Sequence, residues 1–191
     1  MRIIPTIFTL LILLSPITSK AEDGNSIAQQ REWVAKGDSC MKAYDNFHAL
    51  QYYSKLNDEF INQNASIARN MAELYHLSGR TSAWLDMLQR IDKDSVTYKD
   101  LRSMFFACKS NKDDNIIAFY GDSILRINPY DSEIALSLAS YFNDNGQPEI
   151  SCMFCRNYLK NDSTNLSILR QYGYASHLLG DAQTAYETYK K

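Results

Sequence analysis

Cys152-Met153-Phe154-Cys155 is the stretch of this sequence whose residue types and spacing could do covalent chemistry. Two thiols so spaced can act as a dithiol–disulfide pair, provided one sits at a helix N-terminus, where the dipole lowers its pKa. Pro148 marks a helix start ahead of both, because a proline in the first turn loses no hydrogen bond. Both thiols then fall beyond that turn, and packing in an apolar face is favoured over redox exchange. His48, His76 and His177 are far apart in the chain, with no His-Glu-x-x-His and no paired Cys/His spacing suited to zinc. No Gly-rich phosphate loop, Gly-x-Ser-x-Gly elbow or kinase signature is present. The sequence therefore predicts no catalysis, no metal and no cofactor.

The elements that must hold these residues are announced by a recurring turn. Asn145-Gly146-Gln147 and Leu179-Gly180-Asp181 each separate two apolar helical stretches, and their glycines are 34 residues apart. A further 34 residues back lies Lys112, within the polar turn Ser110-Asn111-Lys112-Asp113-Asp114. A fixed step of that length marks an array of stacked units. The blocks are 30–63, 64–97, 98–131, 132–165 and an incomplete 166–191, and the columns align without insertion. The fourth column, Trp33, Ile67, Leu101, Ala135 and Leu169, is apolar throughout. The eighth is Gly37, Met71, Phe105, Ala139 and Gly173, and the twentieth is Ala49, Ala83, Ile117, Ser151 and Ala185. Small residues at these two places let paired helices cross closely, with Trp33, Tyr53 and Tyr189 filling the space beside them.

Each block reads as two helices. Ile134, Leu138 and Tyr141, then Ile150, Phe154 and Tyr158, recur at intervals of three and four. Leu56, Ile91, Leu125 and Leu159 close the second stretches, and Pro129 stops a helix near the end of the third block. Asp181 is placed to cap the last helix, and Gly146 and Gly180 suit the left-handed residue that ends a helix. The sequence predicts an all-α solenoid of five helix-turn-helix repeats.

At the N-terminus, Met1-Arg2, an apolar run from Ile3 to Leu14 and Ser19-Lys20-Ala21 have the layout of a secretory signal peptide cut after Ala21. The run is too short to span a bilayer. Residues 22–29 form a short polar lead. The expected location is the periplasm or cell envelope of a Gram-negative bacterium, or otherwise outside the cell. Removing Arg2 and Lys20 leaves 18 basic against 22 acidic residues, a net charge of −4, which argues against nucleic acid as partner. Cys40, Cys108, Cys152 and Cys155 are too few to staple a scaffold whose apolar content already supplies a core.

Trp33, Gly37, Ala49, Tyr53, Pro129, Gly173, Gly180-Asp181 and Ala185, taken together, resemble the tetratricopeptide repeat (TPR) over residues 30–191. Met71 and Phe105, where a small residue is usual, and Gly121, where a bulky one is usual, depart from that pattern. The resemblance implies a right-handed superhelix whose first helices line a concave groove for proteins or peptides. Carried onto this sequence, the groove would be lined by Val34, Asp38, Met41, Ala68, Ala72, Tyr75, Arg102, Phe106, Lys109, Leu136, Ser140, Asn143, Arg170, Tyr174 and His177. Tyr75, Phe106 and Tyr174 are the aromatics expected to carry binding. The Lys/Asn/Arg clamp of chaperone-binding members is not matched, since Val34 and Asp38 stand at its first two places.

The fifth block stops within its second helix, leaving Ala185 and Tyr189 without a following unit, whereas stacked repeats need a polar cap. Self-association or a further stretch of chain is expected to cover that end. The principal reading is thus an exported interaction scaffold without catalysis. The alternative from another class is the extracytoplasmic sensor region of a longer membrane-bound signalling protein that continues past residue 191, and the CxxC redox protein ranks below both.

Overall fold

The computed structural model describes residues 26–190, and the signal-peptide segment lies outside them. Eleven α-helices and one 3₁₀ turn make up the described chain, and no strand occurs among the described residues. The helices are α1 (Ile27–Lys42), α2 (Asn46–Tyr53), α3 (Asp58–Asn62), α4 (Ala65–Leu77), α5 (Thr81–Gln89), α6 (Tyr98–Asn111), α7 (Asp114–Ile127), α8 (Ser132–Asp144), α9 (Pro148–Leu159), α10 (Leu166–Leu178) and α11 (Ala182–Tyr189). The 3₁₀ turn is Lys93–Ser95. α1 begins inside the stretch read as a polar lead, because the Ser26 side chain caps it by accepting from Gln29 N, and Gln30 is already buried.

The helices pair in chain order as α1/α2, α4/α5, α6/α7, α8/α9 and α10/α11, and α2, α5, α7 and α9 each pack on the first helix of the next pair. This is an α-solenoid of five helix-turn-helix repeats winding as a right-handed superhelix. Short polar side chains set most boundaries. Asp45, Asp113, Asp131, Asn165 and Asp181 each cap a helix by accepting from the backbone N–H three residues on. Thr97 and Asp100 form a reciprocal capping box at α6. Gly146 and Gly180 take positive φ at the turns, as expected, and Lys112 and Tyr44 adopt the same left-handed conformation without being glycine.

The second repeat differs from the ungapped alignment. The first helices of repeats three, four and five start at residues 98, 132 and 166, and a constant step would put the second repeat's start at 64; α4 starts at Ala65. Its turn glycine is likewise Gly79 rather than residue 78. The buried residues of α4 agree: Ile67, Ala68, Met71, Ala72 and Leu74 match Ile134, Ala135, Leu138, Ala139 and Tyr141 of α8 at an offset of 67 residues, one short of two full steps. The physical cause lies in the flanking connections. The second helix of repeat one breaks at Ser54 into α2 and α3, which adds a residue, and the 3₁₀ turn before α6 removes one.

Helix crossings follow the size rule. A Cβ built on Gly37 would lie 2.7 Å from the Tyr53 ring, and one on Gly173 2.8 Å from the Tyr189 ring. In repeat three the sizes are exchanged: Phe105 is fully buried at the eighth place, and Gly121 takes the place of Tyr53, with the Leu138 methyls 2.5 Å from where its Cβ would be. In repeat two the small residue at the eighth place is Ala72, not Met71, and the twentieth place is filled by Trp84, not Ala83.

Candidate binding cleft

Among the first helices only α8 and α10 pack directly on each other; α4 and α6, like α1 and α4 or α6 and α8, barely touch. The gap between α4 and α6 opens a cleft of about 860 Å³ on the side formed by the first helices. Its floor is the edge of Trp84 and Leu88 of α5, both buried in the first core cluster. One wall carries Arg69, Ala72, Glu73 and His76 of α4; the other carries Lys99, Asp100, Arg102, Ser103, Phe106, Lys109 and Ser110 of α6. The His76 and Trp84 rings lie tilted against each other, 4.0 Å between centroids with an interplanar angle of 30°.

Most charges around the cleft are already committed. Arg69 donates from Nε to Asp100 Oδ1 at 3.0 Å and from Nη2 to Asp100 Oδ2 at 2.8 Å and to the Ser95 carbonyl at 2.6 Å. This bidentate strap ties α4 to the first turn of α6. Arg102 pairs with Asp131 and Glu133 at the start of α8, and its guanidinium stands 6.0 Å from the Phe106 ring centre. Lys109 Nζ donates to Ser137 Oγ at 2.7 Å. Glu73 and Lys99, by contrast, make no ion pair among the described residues. The cleft therefore offers an aromatic and aliphatic floor with one free carboxylate and one free ammonium on opposite walls.

Of the expected lining residues, Ala72, Arg102, Phe106 and Lys109 meet in this cleft. Ala68 is fully buried and Tyr75 is half-buried against the first core cluster; the one-residue slip of repeat two puts Arg69, Glu73 and His76 where Ala68, Ala72 and Tyr75 were expected. The turn glycine at 79 rather than 78 was the signal in the sequence that could have shown it. Val34, Asp38 and Met41 lie on α1, outside the cleft; Tyr53 Oη donates to Asp38 Oδ1 at 2.5 Å and approaches Met41 Sδ at 3.5 Å. On α8, Leu136 and Ser140 are half-buried, and Asn143 is buried with its Nδ2 donating to Gln171 Oε1 at 2.9 Å. Arg170, Tyr174 and His177 are exposed on α10, away from the cleft. Trp84 and Leu88 were missed because second helices were not expected to reach the groove.

The other candidate chemistry resolves into packing. Cys152 and Cys155 are free thiols, 4% and 0% exposed, with Cys152 Sγ 3.9 Å from Ser176 Oγ of α10. Burial pushes the Cys155 thiol up to about 12 and raises Cys152 as well. Both are held as thiols at neutral pH, the reverse of what a redox pair needs. His48 bonds Asp45 through Nδ1 at 2.7 Å, His76 stacks on Trp84 and His177 is exposed, in three different repeats. Among the described residues no group of three or more His, Cys, Asp or Glu gathers to hold a metal ion, and no helix is long and apolar enough to cross a membrane.

No protein-family model and no curated protein matches the sequence. Solved structures do match the fold. A MamA crystal structure superposes at a TM-score of 0.66, with 13% identity, over 84% of this chain and 88% of that one. A second MamA structure, from AMB-1, gives 0.66 and 15% over 86% and 90%. YrrB, a TPR protein with an unusual peptide-binding site, gives 0.64 and 11% over 83% and 81%. At such identities the likeness is one of fold, and together with five stacked helix pairs it gives this chain the fold of a tetratricopeptide-repeat solenoid.

Proposed function

We propose that this chain is an exported interaction scaffold that holds a segment of a partner protein in the cleft between α4 and α6. The observation that carries the reading is the parting of those two helices over Trp84 and Leu88. An apolar side chain of the partner rests on Trp84, Leu88 and Phe106, where concave apolar surface with few polar anchors favours binding. Polar groups of the same segment meet Glu73 on one wall and Lys99 on the other. The YrrB description of a peptide-binding site supports a peptide-like ligand for this fold. The run from Met1 to Ala21 supports export, and the net negative charge supports a protein rather than a nucleic acid. No residue is assigned a catalytic role.

A photo-crosslinking amino acid placed at Ser103, inside the cleft, should capture a defined partner from the cell envelope, whereas the same group at exposed Phe119 on α7 should not. Phe106→Ala should remove the Ser103 adduct while leaving helicity unchanged. Equal adducts from both positions, or adducts indifferent to Phe106, would exclude the cleft as the binding site. A periplasmic reporter fused after residue 30 tests export separately; an inactive fusion would remove that part of the reading.

A further inference from the structure

Lys99 and Lys109 stand on the α6 wall of the cleft, and neither makes an ion pair among the described residues, unlike Arg69 and Arg102 beside them. Lys99 is the second residue of α6, in the first turn, where the helix dipole disfavours a positive charge. Asp100, the acid next to it, is taken up by Arg69 and Thr97. Lys109 lies in the last turn, where the dipole suits it, but it is half-buried and meets no carboxylate. Among the described residues its ammonium donates only to the neutral Ser137 Oγ, at 2.7 Å, which leaves two of its three protons open. A partly desolvated ammonium in that state is stabilised by any anion that reaches it.

The two lysines are ten residues apart on one helix, 99 to 109, or about 15 Å along its axis. Ser103 and Phe106 lie between them on the same wall. An extended peptide advances about 3.3 Å per residue, so about four residues cover most of that length and the long lysine stems take up the rest. On the facing wall Glu73 is exposed and makes no ion pair among the described residues. Of the lysine, arginine and acidic side chains lining the cleft, those without an ion pair are thus Lys99 and Lys109 against Glu73, a positive balance in a chain whose net charge is −2.

We propose, on the reading of this cleft as a peptide site, that the segment it takes is acidic. It is an extended stretch with two Asp or Glu side chains about four residues apart, one on Lys99 and one on Lys109, and an apolar residue between them on Phe106. Glu73 accepts from a backbone N–H of the same stretch. The carboxylates belong to side chains within the segment, because two are needed and a chain end supplies one. Both pairs remain partly in solvent, so binding should weaken as salt is added.

The probe is a phage-displayed library of random peptides, fused through their C-termini so that no chain-end carboxylate is offered. It is panned on the full chain, on Phe106→Ala and on the double variant Lys99→Glu/Lys109→Glu. The wild type should enrich peptides with paired Asp or Glu about four residues apart around an apolar residue, and the double variant should enrich Lys or Arg there instead. An enriched peptide, followed by fluorescence anisotropy, should bind about tenfold more weakly to Lys109→Gln and about threefold more weakly to Lys99→Gln, whose side chain is exposed. Circular dichroism should be unchanged in every variant; if the double variant unfolds, the two Gln variants decide. Enrichment that needs Phe106 but has no acidic bias, or affinity equal in wild type and both Gln variants, would overturn the acidic ligand and leave the cleft a peptide site. Enrichment indifferent to Phe106, or none at all, would remove the peptide site and this proposal with it.

Discussion

At the scale of single residues, Arg69 and Arg102 each tie the first helix of one repeat to the start of the next repeat's first helix. Burial alone would raise the Asp131 carboxyl, but Arg102, the Tyr98 hydroxyl and the Ile134 N–H outweigh it and hold it below the ordinary aspartate range. Burial opposes Asp100 in the same way, and Arg69 with Thr97 brings it down. A carboxyl whose folded pKa lies below its unfolded one stabilises the fold above the unfolded value and loses that contribution as pH falls through the folded value. The loss should therefore begin as pH nears about 4, the value of a free aspartate, and continue below it. Thermal melting between about pH 5 and about pH 3 should show Tm falling, and Asp131→Asn should make that fall shallower. An unchanged slope would mean that the pair stabilises nothing. At neutral pH, Arg102→Ala leaves a buried carboxylate without its charged partner and should cost about 1.5–3 kcal/mol, read by urea denaturation.

At the scale of helices, the 34-residue step, the helix pairs and the turn chemistry were legible because periodicity and capping act locally. The slip in repeat two was not. Its extra residue, at the α2–α3 break, and its missing one, at the 3₁₀ turn, cancel before α6, so the third, fourth and fifth blocks stay in phase with the first. Each column also tolerates either register, since Ile67 and Ala68 are both apolar and both buried. Met71 looked like a departure for that reason: the small residue at the crossing is its neighbour Ala72. The groove residues of repeat two inherited the same error, and the cleft itself was invisible because it arises from two helices failing to meet, which no local pattern encodes. The slip makes a testable contrast. Ala49 is fully buried at its crossing, so Ala49→Phe should cost about 1–3 kcal/mol through overpacking. Ala83 is half-buried and displaced from the crossing by Trp84, so Ala83→Leu should change stability by less than ~0.5 kcal/mol. Similar losses for the two variants in denaturant melts would restore the ungapped register.

At the scale of the whole molecule, three core clusters run along the array and share their margins. Leu85, Leu101, Phe106 and Tyr120 border both the first and the second cluster, and Leu125 borders the second and third. Stability in such a stack is close to a sum of repeat terms and neighbour terms, so a seam can weaken without dissolving the rest. At the seam that forms the cleft, α6 rests on α5 and the Arg69–Asp100 strap stands in for direct packing of α4 on α6. The gap that makes room for a ligand leaves α4 and α6 joined chiefly by that strap, and loss of the strap should lower the free energy of local opening there. Arg69→Met keeps an unbranched apolar stem at that position and removes the strap. Hydrogen exchange should then rise in α4 and in the first turns of α6, with α10 and α11 unchanged, and a ligand bound in the cleft should reverse the rise. Faster exchange spread evenly from α1 to α11 would instead show that the five repeats open as one unit and that the strap does not hold α4 and α6 locally.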